Sequence, residues 1–303
     1  RTLRRRTIRL RIQKKGRRMI RTSLTLGFVL TSLAIPAFAE NELTPLPAPE
    51  ARPYPYEILG LQPGDPLDDV LAVYAERSDA APTSESEVLR VQSPDGAVFE
   101  FTYQQFSRIG DVGVHGRLAN ADQDQVTATL SSEVMEQRPM AIHRSMRQPS
   151  DELPEPLELK AQIEGLYGPP SRVEIDGRTM TLTYAWSTEG FIPDLDAIGT
   201  LTHEETDNFG GRDRTTISEY ELCGNARHYR NDVSYRFEYP RDEEIKTGCL
   251  ATFTVTYRGE PGSTLIGFSL VDYELGRQHM AELDRQIVEA LTGEEVEASD
   301  MDL

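Results

Sequence analysis

Basic residues are scarce once the first 39 positions are passed. Residues 1–39 hold eleven of the 32 Lys and Arg and no acid, so residues 40–303 set 21 basic side chains against 50 acidic ones, a net of −29. Phosphate recognition rests on Lys/Arg clusters, so this balance excludes nucleic acid and anionic headgroups as expected partners. No apolar run approaches the roughly eighteen residues that a membrane-spanning helix needs, and none is expected after residue 39. Catalytic signatures are missing too. There is no Gly-x-Ser-x-Gly, no Ser-x-x-Lys, no phosphate-binding Gly-rich loop and no His-Glu-x-x-His. His115, His143, His228 and His279 are scattered, and no two have the spacing that shares a helix face. The only two cysteines, Cys223 and Cys249, stand in no Cys-x-x-Cys, so the expectation is a structural disulfide in an oxidising compartment.

What is present begins with an export pattern. The basic start is followed by the apolar run Leu24–Ala34 and by Ala37-Phe38-Ala39, the layout of a secretory signal peptide cleaved after Ala39. Met19 stands where such a peptide would start, so residues 1–18 read as upstream sequence. The expected location is periplasmic or secreted. Residues 40–55 hold five prolines without apolar periodicity and read as a linker.

The body reads as α+β, two units that each pack a helix on an antiparallel sheet. The first is expected over 56–138. It opens with a short strand around Ile58–Leu61 and a helix N-capped by Asp65, with Pro66 at its first position. A hairpin of 87–91 and 97–106 follows, then strands at Val112–Leu118 and Val126–Leu130. Residues 139–156, with Pro149, Pro154 and Pro156 among charges, read as a second linker.

The second unit is expected over 157–293. Leu157, Leu159, Ile163, Leu166 and Tyr167 recur at helical spacing, and Gly168-Pro169-Pro170 stops that helix. Alternating residues from Val173 to Trp186 flank Asp176-Gly177, a hairpin signal. Strands follow at Thr215–Cys223, Asp232–Tyr239, Cys249–Tyr257 and Leu265–Tyr273. A helix at Arg277–Thr292, stopped by Gly293, precedes the acidic tail 294–303. The turn Ile58-Leu59-Gly60-Leu61 into Pro63-Gly64-x-Pro66, and the helix ending in Tyr167-Gly168-Pro169-Pro170-Ser171 before a hairpin, resemble small bacterial envelope modules of the SmpA/OmlA (BamE-like) family. They are also similar to the β-lactamase-inhibitor-protein fold. Asp65 stands where that pattern has Met, and the lipoprotein cysteine is missing. The resemblance implies a binding or assembly module rather than an enzyme and carries over no site residue.

Tyr184 and Trp186 on one strand, near Phe191, form a candidate recognition patch, since Trp and Tyr dominate binding hot spots; the competing reading is a core cluster on the 157–167 helix. Glu204, Asp207 and Asp213, in a stretch that also holds His203, Gly210 and Gly211, read as a carboxylate loop with oxygen ligands for Ca²⁺ or as a solvated loop. Asn120, Asp122 and Asp124 open like a Ca²⁺ loop but lack its Gly and its final Glu, and read as a turn. No other cofactor is expected. The leading expectation is a non-enzymatic module that binds another envelope protein or a small ligand. Its alternatives are a secreted carboxylate-dependent hydrolase and a Ca²⁺-stabilised structural protein.

Overall fold

The computed structural model describes residues 43–77, 81–93, 96–108, 123–149, 152–209, 212–223 and 248–293. The strands expected at 112–118 and 232–239, the region 1–39 and the tail 294–303 lie outside them. Among the described residues the fold is α+β with antiparallel sheets.

Helix α1 (Leu67–Arg77) buries Val70 and Tyr74, one apolar face at helical spacing, with Asp68 and Asp69 at its positive end. Asp65 does not cap it. Its carboxylate accepts from the Gln62 N–H at 2.7 Å and closes the preceding turn instead. Strands β1 (Thr83–Gln92) and β2 (Val98–Arg108) form the expected hairpin in a sheet of their own.

The main sheet has seven strands. They are β3 (Gln123–Leu130), β4 (Pro139–Gln148), β5 (Arg172–Asp176), β6 (Thr179–Ser187), β7 (Gly190–Ile192), β10 (Cys249–Glu260) and β11 (Ser263–Asp272). Their order is β3-β4-β11-β10-β6-β5, with β7 also paired to β6. The remaining strands, β8 (Thr200–Phe209) and β9 (Arg212–Glu221), form a separate hairpin. Strand β4 corrects the expected linker at 139–156. It lies hydrogen-bonded between β3 and β11, so strands from both sides of that boundary share one sheet. Met140, Ala141 and Ile142 are buried in succession, and a strand covered on both faces shows no alternation to read. Pro156, also read as linker, is the first residue of α2 (Pro156–Tyr167), where its missing N–H costs nothing.

The Pro-rich segment before residue 56 is not a tether over its described part. Leu43, Tyr54 and Tyr56 are buried, and the Leu46 N–H donates to the Val134 carbonyl. Thr44 exchanges backbone hydrogen bonds with the Gln286 amide of the C-terminal helix α3 (Tyr273–Thr292). Helix α3 begins four residues earlier than expected because Asp272 caps it, accepting from the Leu275 N–H at 2.8 Å; Gly293 ends it in the left-handed region as expected. Asp272 is fully buried and also accepts from Arg52 Nε and the Tyr54 hydroxyl, each at 2.7 Å. Burial raises the pKa of Asp272, and Arg52 with the two hydrogen-bond donors acts against that rise. The strap is thus riveted to the start of α3.

One core lies under the strap, α1 and α2, against the sheet face that carries Met180, Leu182, Tyr184, Phe253 and Leu270. A second joins α3 to the β1–β2 hairpin and to the 3₁₀ turn Glu133–Met135. A third, on the other sheet face, surrounds the disulfide between Cys223 and Cys249, whose Cα atoms are 5.3 Å apart.

Candidate functional site

Strand β6 carries the site because its outer side is paired only in pieces. Residues 179–183 pair with β5 and residues 185–187 with β7. Ser171 fills the join between the two: its hydroxyl donates to the Ile192 carbonyl and accepts from the Ala185 N–H at 2.9 Å. The turn from β5 to β6 is Gly177-Arg178, one residue on from the expected Asp-Gly. Positive φ at Gly177 and not at Arg178 is the type II′ pattern, for which Gly is suited at the first turn position.

Together β5 and β7 form one edge of the main sheet. Among the described residues β5 pairs with β6 alone, whereas the opposite edge strand, β3, has β2 lying against it. In register, Ile175 stands opposite Met180, Val173 opposite Leu182 and Phe191 opposite Trp186. Directly opposed residues share a face, so Ile175, Val173 and Phe191 form one row. The row is open to solvent, at 47%, 40% and 37% exposure, while Met180 and Leu182 beside it are buried. The reason lies in α2, whose buried Leu159 and Ile163 join Met180, Leu182 and Tyr184 in one core but leave β5 uncovered. The expected packing of helix on hairpin therefore holds for β6 only. Leu157 and Leu166, expected in the same stripe, are exposed.

The other face of β5 is charged. Arg172 is held by Asp196 at 2.6 Å and Glu221 at 2.7 Å, whereas Glu174 and Asp176 are exposed. At the Phe191 end, an open cavity of about 500 Å³ has apolar walls from Phe191, Pro193, Ile198 and Leu222 and polar ones from Ser187, Glu189 and Asp194. Leu222 and Gly248 each directly precede a cysteine of the disulfide, so the bridge holds that wall in place.

The three residues of the expected patch are split. Tyr184 is fully buried, its hydroxyl donating to the Gly168 carbonyl at 2.9 Å. It belongs to an aromatic cluster in which Tyr56 lies between Phe253, at 5.1 Å and stacked, and Tyr167, at 5.2 Å and edge-on. Trp186 is half-buried; its indole N–H donates to the Tyr56 hydroxyl at 3.0 Å and its ring lies 6.1 Å from Phe191. Burial raises the pKa of Tyr56, against the lowering effect of that hydrogen bond. Of the three, Phe191 is the most exposed.

The stretch expected as a carboxylate loop is instead two strands. On the β8–β9 ladder Glu204 stands opposite Ile217, Asp207 opposite Arg214 and Asp213 opposite Asn208, three separate pairs. Their side chains lie outside the described structure, as do Asn120 and Asp122. Among the described residues no group of three or more His, Cys, Asp and Glu could hold a metal ion, and no helix is long and apolar enough to cross a membrane.

One contact that sequence spacing could not reveal has the geometry of a nucleophile and base. Ser132 Oγ lies 2.9 Å from His279 Nε2, 147 residues apart in the chain. Both residues are fully buried, and the Ser132 N–H also donates to Nε2 at 3.0 Å, so that nitrogen is an acceptor and the ring proton sits on Nδ1. Ser132 Oγ accepts in turn from the Val134 N–H and caps the 3₁₀ turn. A fully buried pair engaged as a cap offers a substrate no approach. Burial holds the His279 ring neutral, lowering its pKa to about 3. No family model matches the chain, and no curated protein or solved structure does either.

Proposed function

We propose that this chain is an exported binding module of the bacterial envelope that takes a protein partner along the β5–β7 edge. The observation that carries the reading is the row Ile175, Val173 and Phe191, solvent-exposed on one face of a sheet edge that lacks a neighbouring strand among the described residues. Exposed edge strands with apolar side chains are templates for pairing with another chain. The cavity beside Phe191 offers a place for one anchoring side chain of that partner, or for a small ligand. Export is supported by the basic, apolar and Ala-x-Ala succession of residues 1–39 and by the disulfide. The turn motifs similar to BamE-like modules support an envelope role. Among the described residues no observation favours the carboxylate hydrolase or the Ca²⁺-stabilised alternative.

The test is site-specific photocrosslinking in cells, with benzoylphenylalanine placed at Val173, at Phe191 and at Val88, an exposed position on β1. The reading predicts a discrete adduct from Val173 and Phe191 and none from Val88. No adduct at either edge position, or the same adducts at all three, would reject it.

A further inference from the structure

The edge also has a chemical signature of its own. Five residues of β5 span about 17 Å at roughly 3.4 Å per residue, enough to accept one short strand. Read along it, Val173 and Ile175 offer apolar contacts on one face, and Glu174 and Asp176 offer exposed carboxylates on the other. Arg172 ends the row with a cation already held by two acids. Taking the edge to be the working surface, we propose that β5 accepts an extended basic segment as an added antiparallel strand. Lysine or arginine would stand opposite Asp176 and Glu174, apolar residues opposite Ile175 and Val173, and an uncharged or acidic residue opposite Arg172.

The physical case is one of complementarity. Main-chain hydrogen bonds to an open edge supply affinity without regard to sequence, so alternate side chains must supply selectivity. Opposite charges directly across a ladder favour pairing and like charges oppose it. A second copy of this chain is a poor occupant on that ground. The two-fold register that sets Val173 against its partner's Ile175 also sets Glu174 against Glu174, and each copy carries a net charge of −18. The same register offers Asp176 to an Arg172 that already has two carboxylate partners. The acidic side chains on the edge thus disfavour self-pairing and favour a cationic strand. The added strand ends at Arg172, because the Ser171 carbonyl beyond it already accepts from the Leu195 N–H at 3.1 Å.

The experiment titrates the full chain into a fluorescein-labelled peptide Lys-Ile-Lys-Val-Thr and into Lys-Lys-Thr-Val-Ile, which has the same composition without the alternation. Fluorescence anisotropy reads both, and thermal melts verify that the exposed-site variants remain folded. The proposal predicts saturable binding of the alternating peptide at least tenfold tighter than its permuted form, and loss of that tenfold preference in Glu174→Lys and in Val173→Asp. Equal affinity for the two peptides, or a preference unchanged by Glu174→Lys, would overturn it. Concentration-dependent self-association abolished by Ile175→Lys would overturn it in favour of a second copy. Failure here with crosslinks still confined to Val173 and Phe191 would reject the basic-strand chemistry and leave the edge as a binding surface. Failure of both would remove the edge altogether.

Discussion

The Trp186 indole N–H donates to the Tyr56 hydroxyl at 3.0 Å, and this bond joins the N-terminal strap to the strand that bears the open edge. Trp186 also stands opposite Phe191 in the β6–β7 ladder, so one side chain links the aromatic core to the exposed row. Replacing Tyr56 by Phe removes the acceptor and keeps the ring stacked on Phe253. The expected cost is about 1–2 kcal/mol, the price of a donor left without its partner in a half-buried site. Trp186 is the chain's only tryptophan, so its emission should shift as well. An unchanged melt and spectrum would show that the strap does not hold β6, the strand on which the edge is built.

Arg52 is the only cation in hydrogen-bond contact with fully buried Asp272 among the described residues. Arg52→Met therefore strands a buried carboxylate, and removing one partner of such a pair costs about 3–5 kcal/mol. Denaturant unfolding measures it, and the double variant Arg52→Met with Asp272→Asn should recover part of the loss. A single-variant cost below about 1 kcal/mol would contradict the riveted strap.

Two groups on α3, the buried His279 and the half-buried Asp284, make stability depend on pH in opposite senses. Burial lowers His279 to about 3 from an ordinary 6.5, so the unfolded chain takes up a proton first and stability is lost as pH falls from about 6.5 to about 3. Burial raises Asp284 to about 7 from an ordinary 3.8, so the folded chain keeps its proton longer and stability is lost as pH rises from about 3.8 through about 7. Asp284→Asn removes only the second effect. It should raise the melting temperature at pH 8, change it little at pH 4, and expose the acid-side loss that remains. A gain independent of pH would contradict this assignment.

The fold was legible in the sequence wherever one face of an element is buried and the other is wet. The hairpins around Gly96 and Gly177 and the stop at Gly293 follow from local residue chemistry, and the disulfide from the presence of one cysteine pair behind an export pattern. It was illegible where that alternation fails. Strand β4 is buried through its first four positions, and the prolines that follow it drew a boundary through the main sheet. The strap gave no periodic signal because Leu43, Tyr54 and Tyr56 pack through separate contacts rather than along one repeating face. Phe191 was read only as a neighbour of Tyr184 and Trp186 in one patch, and nothing in Arg172–Asp176 says that α2 stops short of covering Val173 and Ile175. That depends on which strand the helix overlies, a tertiary fact.

Reduction of the disulfide should weaken the fold and the site together. Cys223 and Cys249 are 26 residues apart, and the chain-entropy model gives such a bridge about 3–4 kcal/mol. Cys223→Ser with Cys249→Ser should lower the melting temperature and release Leu222 and Gly248 from the cavity wall. Binding of a neutral apolar dye at the cavity, which Phe191→Ser should abolish, should fall in parallel. Dye binding unaffected by the double variant would show that the bridge stabilises the fold without shaping the cavity.

Amide hydrogen exchange of the full chain, alone and with the alternating Lys-Ile-Lys-Val-Thr peptide, tests the central claim most directly. An added strand must hydrogen-bond the outward-facing amides of β5. The predicted result is slowed exchange within Arg172–Asp176, with the β8–β9 hairpin and β3 unchanged. Protection elsewhere with none in β5 would contradict the account, because the open edge would then not be where a partner binds.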